Sequence, residues 1–296
     1  MERMGIDIGG TKTELVVLAA DGAELHRQRA ATPQGDYRTA LQGLARMVLE
    51  AEATVGVCSV GIGAPGTLIP SSGRLVNAYA TPYNEQPLRP DLQALLGREV
   101  RIANDANCFA LSEALDGAAR GASSAFGVII GTGAGAGIVV NGRIVVGANG
   151  IAGEWGHNPL PWAAGDEHPG PPCYCGRQGC IERFVSGSAL EDDYQRAGGP
   201  PRSAQAIIAA AAAGERPAEE ALERLESRLA RALASVINFL DPEVIVLGGG
   251  LSNLDRLYAS VPRLWSRYIY GRGIVTRLEK ARHGDASGVR GAAYLW

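Results

Sequence analysis

The stretch MGIDIGGTKTELVVL, residues 4–18, decides how the rest of the chain is read. Residues 4–8 and 13–18 have the apolar, β-branched composition of strands, and Gly9-Gly10 between them permits a tight turn. The figure recurs about 122 residues later, where Gly127-Val128-Ile129-Ile130-Gly131 aligns with Gly5-Ile6-Asp7-Ile8-Gly9, so two related halves are expected. Helices are predicted over 37–52, 108–115 and 222–240. In the last, Leu222, Leu225, Leu229, Leu233, Val236 and Leu240 recur at helical spacing before Asp241-Pro242. Strands are predicted over 56–63, 100–103, 126–130, 138–140, 143–146 and 244–247, with Asn141-Gly142 as a hairpin turn. Strands alternating with helices define the α/β class.

Forty of the 296 residues are glycine, roughly twice the usual share of about 7%. At 46% hydrophobic content and with no G-X-Y period, the chain is neither disordered nor collagenous, and its glycines mark close backbone approaches. Twenty-eight Lys and Arg against 31 Asp and Glu give a net charge of −3, which argues against a polybasic face for nucleic acid or membrane. No run of 18 apolar residues occurs, and Asp7 and Lys12 stand where a signal peptide would be apolar. A cytoplasmic protein is therefore expected.

Three glycine-rich turns follow apolar strands: Gly9-Gly10-Thr11-Lys12, Gly131-Thr132-Gly133 and Gly248-Gly249-Gly250. One such turn is ordinary punctuation, whereas three, two with adjacent threonine, suit a polyphosphate that needs many N–H donors at short range. Gly10-Thr11-Lys12 does not fit the Gly-Lys-Ser/Thr order of a Walker loop. Gly61-Ile62-Gly63-Ala64-Pro65-Gly66 satisfies G-x-G-x-x-G, but Pro65 and Pro70 argue against a dinucleotide-binding helix there. Asn104-Asp105-Ala106-Asn107 stands at a strand end, where helix capping needs one polar residue and three are present. A carboxylate at such a place can take a proton from an attacking hydroxyl. Cys173-x-Cys175-x4-Cys180 has the density of a zinc site, with His157 or His168 as the fourth ligand. Glu154 and Glu182 flank these ligands.

Taken together the motifs resemble the ROK family of sugar kinases. The resemblance runs through GIDIGGTKTE (5–14), ANDANCFALSEA (103–114), IIGTGAGAG (129–137), GEWGH (153–157), CYCGRQGCIE (173–182), DPEVIVLGGGLSN (241–253) and HGDASGVRGAAYLW (283–296). It implies a two-lobed actin/hexokinase-like (ribonuclease H-like) α/β fold with a cleft. The N-terminal lobe would comprise 1–117 plus 284–296, and the C-terminal lobe 118–283 would carry the zinc segment and nucleotide site. Asp105 would be the general base, and Asn104, Glu154, His157 and Glu182 would bind other sugar hydroxyls, His157 with the ring nitrogen not on zinc. Gly9, Gly10, Thr11, Lys12, Gly131, Thr132 and Gly133 would hold the phosphates of ATP, Gly249 and Gly250 the adenosine end, and Asp7 would be an outer-shell partner of Mg²⁺. His157, Cys173, Cys175 and Cys180 would bind a structural Zn²⁺.

Within the family, NGIAGEWGHNPLPW (149–162) and residues 283–296 look closest to fructokinases of the mannofructokinase type. D-fructose is thus the first expected substrate, with mannose, N-acetylglucosamine or glucose as alternatives, and a homodimer is expected. A sugar-responsive regulator is the rival of another class.

Overall fold

The computed structural model describes residues 1–296, which form two compact units. The first comprises Met1–Gly121, Gly137–Gly153 and Arg282–Trp296, the second Ala122–Ala136 and Glu154–Ala281. No helix is long and apolar enough to cross a membrane.

In the first unit, β1 (Arg3–Ile8), β2 (Lys12–Leu18) and β3 (Glu24–Ala31) form an antiparallel meander. The 19-residue α1 (Tyr37–Val55), capped by the Asp36 carboxylate accepting from the Thr39 amide, returns the chain to β4 (Ser59–Ala64), parallel to β1. A short pair, β5 (Thr67–Leu68) and β6 (Leu75–Val76), and α2 (Leu88–Leu96) precede β7 (Val100–Asn104). α3 (Asp105–Leu115) follows β7 at once, three residues earlier than the apolar pattern places it, because Asn104 caps it. The sheet order is β3-β2-β1-β4-β7. Met4, Ile6, Leu15, Leu44, Val48, Val60 and Ile62 fill the core between this sheet and α1. β3 was not expected: ELHRQRAA lacks apolar alternation, and as an edge strand paired only with β2 it needs none.

Beyond Gly121, β8 (Ser124–Ile130) belongs to the second unit. β9 (Ala134–Val140) then carries the chain back to the first, where β10 (Arg143–Ile144) pairs with it in antiparallel fashion. β10 ends at Ile144, short of the expected 146. The second unit continues with α4 (Glu182–Val185), α5 (Gly187–Arg196), α6 (Ala204–Ala212) and the 25-residue α7 (Arg216–Leu240). α7 buries the expected stripe of Leu222, Leu225, Leu229, Leu233 and Val236 and ends on Asp241 at φ 49°. β11 (Val244–Gly248) runs parallel to β8 and, after α8 (Arg256–Trp265), to β12 (Arg277–Lys280). The Pro/Gly-rich loop near 163–172 is tied down by Glu167, which pairs with Arg228 at 2.9 Å and Arg231 at 2.6 Å on α7.

α9 (Ser287–Ala293) completes the first unit against β1, β4 and α3. Its approach leaves no space for side chains. A Cβ at Gly61 would stand 1.9 Å from the Ala292 carbonyl oxygen, and one at Gly291 would stand 1.7 Å from that of Cys108. Glu113 of α3, with no exposed surface, accepts hydrogen bonds from the amides of Ala118 (2.8 Å), Arg282 (3.0 Å) and His283 (3.3 Å) and from Ser287 Oγ (2.7 Å). One turn on, Asp116 accepts from His283, Arg290 and Tyr294. Since backbone cannot retreat from a new methyl group, Gly61→Ala is expected to destabilise the protein by about 1–3 kcal/mol or more. Urea unfolding of the variant should show a lower midpoint at unchanged slope.

Candidate active site

In the first unit the predicted residues gather around the ends of β1 and β7. Asn104 uses both ends of its side chain on the protein. Its Oδ1 accepts from the amides of Ala106 (2.9 Å) and Asn107 (3.3 Å), and its Nδ2 donates to the Gly66 carbonyl at 2.9 Å. Asp105 is thereby fixed in the first turn of α3, with Oδ1 2.7 Å from the Ala106 amide. Asp7 stands beside Gly63 of β4 and Gly288 of α9, where a Cβ would come within 3.4 and 3.3 Å of its carboxylate oxygens. Burial, then the charges of Asp105 and Glu14, push the Asp7 carboxyl up to about 7, and Lys12 only partly offsets them. The turn after β1 is held by Gly9 N donating to the Lys12 carbonyl (2.9 Å), Thr32 Oγ1 to the Gly9 carbonyl (2.7 Å) and Gln34 Nε2 to the Gly10 carbonyl (2.8 Å). Thr11 and Lys12 are left exposed.

The second unit assembles the other two glycine turns with the cysteine cluster. Carbonyls of the turn after β8 are engaged by α5: Gly187 N donates to Gly131 O (2.7 Å) and Ser188 Oγ to Thr132 O (2.8 Å). Gly249, at φ 81°, brings the turn after β11 against it, since a Cβ there would lie 2.7 Å from the Ile130 carbonyl carbon. Glu182, at the start of α4, accepts from the Ala134 amide at 3.1 Å through Oε2, and its Oε1 lies 3.9 Å from Cys173 Sγ. One carboxylate therefore joins the glycine turn to the cysteines.

His157, Cys173, Cys175 and Cys180 place their ligand atoms within 4.8 Å of one another; His168 is not among them. Cys173 Sγ is 3.6 Å from His157 Nδ1, and Cys175 Sγ is 3.6 Å from Cys180 Sγ. Four ligands about 2.3 Å from a tetrahedral zinc stand about 3.8 Å apart, so the set fits that ion. The ligands ride on a tight turn in which Cys173 N donates to Arg177 O (2.8 Å) and Gly176 N to Cys173 O (3.0 Å). Burial pushes Cys180 up to about 12 and raises Cys173 as well. A divalent cation reverses that cost by taking the thiolates.

Nothing in the spacing of the motifs singles out Tyr174, between two of the cysteines. Its hydroxyl lies 2.9 Å from His157 Nε2, the nitrogen expected to face a sugar, and the rings meet edge to face at 5.0 Å. Burial, and then the charges of Glu182 and Glu154, push Tyr174 upward. Glu154 itself precedes the short 3-10 turn Trp155–His157 and is exposed.

The sequence matches the ROK family over residues 3–296. N-acetyl-D-glucosamine kinase of Pectobacterium atrosepticum is 45% identical over 296 residues, covering 98% of this chain and 97% of its own. Among solved structures, a ROK hexokinase from Thermus thermophilus superimposes with a TM-score of 0.89 at 33% identity, over 99% of this chain and 97% of its own. A ROK family glucokinase from Streptomyces griseus, in complex with glucose and AMPPNP, gives 0.80 at 27%, over 100% and 99%. The expected α/β fold and kinase family are thus met. The expected fructokinase subtype is not confirmed, because this curated relative is named for N-acetylglucosamine.

Asp7 carries a pH dependence. Its carboxyl is about 7 when folded and near 3.8 when not, so the folded protein holds an extra proton between these values. The associated stability is fully present below about pH 4 and is lost as pH rises toward 7. Without nucleotide or divalent cation, the melting temperature should decline across this window, and Asp7→Asn should flatten the decline. Cys175→Ser should separate metal from protein: elemental analysis should fall from one zinc per chain toward none, with a lowered melting temperature.

Proposed function

The chain belongs to the ROK family, and from that premise we propose that it transfers the γ-phosphoryl group of ATP to the primary hydroxyl of a free hexose, N-acetyl-D-glucosamine first. The observation that carries this reading is Asp105, a carboxylate fixed at the β7–α3 junction close enough to Asp7 to raise it. One carboxylate of such a pair is suited to a cation and the other to a proton. The 45% identity over nearly the whole chain to an N-acetylglucosamine kinase supports the acceptor. Fructose is the second reading, favoured by the segments 149–162 and 283–296 that resemble mannofructokinase-type enzymes.

In this scheme the hydroxyl oxygen of the sugar bonds to the γ-phosphorus as the bond to the β-phosphate oxygen breaks and ADP departs. Asp105 accepts the hydroxyl proton. Glu154, His157 and Glu182 orient the remaining hydroxyls, with Tyr174 yielding His157 Nε2 to the sugar. The turns at Gly9–Lys12 and Gly131–Gly133 supply backbone donors for phosphate oxygens, and Gly249 and Gly250 leave space for the nucleoside. Asp7 would hold Mg²⁺ through water, and the ion would supply countercharge for the phosphates. His157, Cys173, Cys175 and Cys180 would hold Zn²⁺, which would supply a structural cross-link to the segment that carries Glu182 rather than an activated water.

A base of this kind contributes about 10²–10⁴ in rate. Asp105→Asn is expected to keep its fold and metal and to lose kcat by that factor, and unchanged kcat would sink the assignment. An ADP-release assay across N-acetylglucosamine, fructose, mannose and glucose should give the highest kcat/KM on N-acetylglucosamine. A maximum on fructose would transfer the proposal to the second reading, and no turnover on any sugar would favour the regulator.

A further inference from the structure

A cavity of about 830 Å³ opens along β7 at the edge of the first unit's sheet, within the size range of small-molecule sites. None of the predicted site residues lines it. Its charged lining is unbalanced: Arg89, Arg101 and Arg143 against the single carboxylate of Glu99. Arg101 is stacked 4.0 Å above the Trp296 ring, braced by the Leu295 carbonyl at 2.7 Å and ion-paired with Glu99 at 3.3 Å, so its guanidinium is held in place and the uncompensated charge falls to Arg89 and Arg143. Arg89 donates only to the Pro70 carbonyl at 3.3 Å, and Arg143 has no hydrogen-bond or ion-pair partner. Ile102, Leu111 and Ile144 supply aliphatic wall, and Gln93, Tyr294 and the Trp296 indole complete it.

Guanidinium groups match a phosphate dianion in charge and geometry. The indole and aliphatic wall suit the C–H face of a sugar ring, and the volume far exceeds a bare phosphate. We propose that this cavity is a second, non-catalytic binding site for a hexose monophosphate, the chemical class that the proposed reaction makes. The assignment rests on that reading only for the identity of the sugar. β7 connects the two places directly, lining the cavity with residues 100–103 and delivering Asn104 and Asp105 to α3.

The test is ¹⁹F NMR of full-length protein labelled with 5-fluorotryptophan, with the Trp296 resonance assigned through Trp296→Phe. Titration with N-acetylglucosamine 6-phosphate should shift that resonance saturably. Arg143→Glu should weaken the titration about tenfold or more, the scale of a lost charge-assisted hydrogen bond, and leave kcat and KM without the ligand unchanged. A silent Trp296, or a shift indifferent to Arg143→Glu, would overturn the site. An equal response to inorganic phosphate would show an anion site without sugar recognition, and a tighter response to AMP a nucleotide site; either overturns the assignment. Binding is read without turnover, so failure here is distinguishable from failure of the kinase assay.

Discussion

The carboxylate of Glu113 is the constraint on which the first unit depends. A buried charge without partners costs several kcal/mol, and here amides and a hydroxyl from three places in the sequence satisfy it. Those donors can converge only if α3 lies against the returning C-terminal segment. That arrangement in turn requires glycine at positions 61 and 291, where backbone meets backbone. With α3 fixed from its C-terminal half, the Asn104 cap and Asp105 at its other end have one place to be. The placement of the proposed base is thus set by an interaction more than two helical turns away.

A comparable economy operates in the second unit. Glu182 is reached by the cysteine cluster on one side and by the amide of Ala134 on the other. A metal ion that ordered the cysteines would order the turn after β8 through this one side chain. The short α4, at four residues, has little stability of its own. The cluster and α7 hold it in place, so chemistry and folding share the same supports.

Much of this was legible in the chain. Period-2 and period-3.6 patterns located β1, β2 and α7 because one face of each is buried, and the cysteine spacing pointed to the cluster that the fold brings together. What stayed hidden depended on partners remote in sequence. β3 shows no alternation because its neighbour β2 supplies the buried face. His157 and His168 were equivalent by spacing, and only the folded turn decides for His157. Tyr174 reads as a spacer between cysteines until its hydroxyl is found against His157. The 163–172 loop has no periodicity to read, since Glu167 anchors it through ion pairs to α7. The acceptor sugar was beyond pattern reading for the same reason: it depends on the shape left by side chains from several segments.

The dispersed make-up of the first unit bears on how the protein comes off the ribosome. Its sheet is synthesised early, yet α9, which covers the Gly61 face and brings three of the four donors to Glu113 together with the residues just before it, belongs to Arg282–Trp296, which follows the whole second unit. The second unit lies wholly between and can close first. Apolar surface on β1 and β4 therefore waits uncovered until the second unit has been made, an interval in which nascent chains are exposed to aggregation and to chaperones. Of the two units, the one begun earlier is finished later.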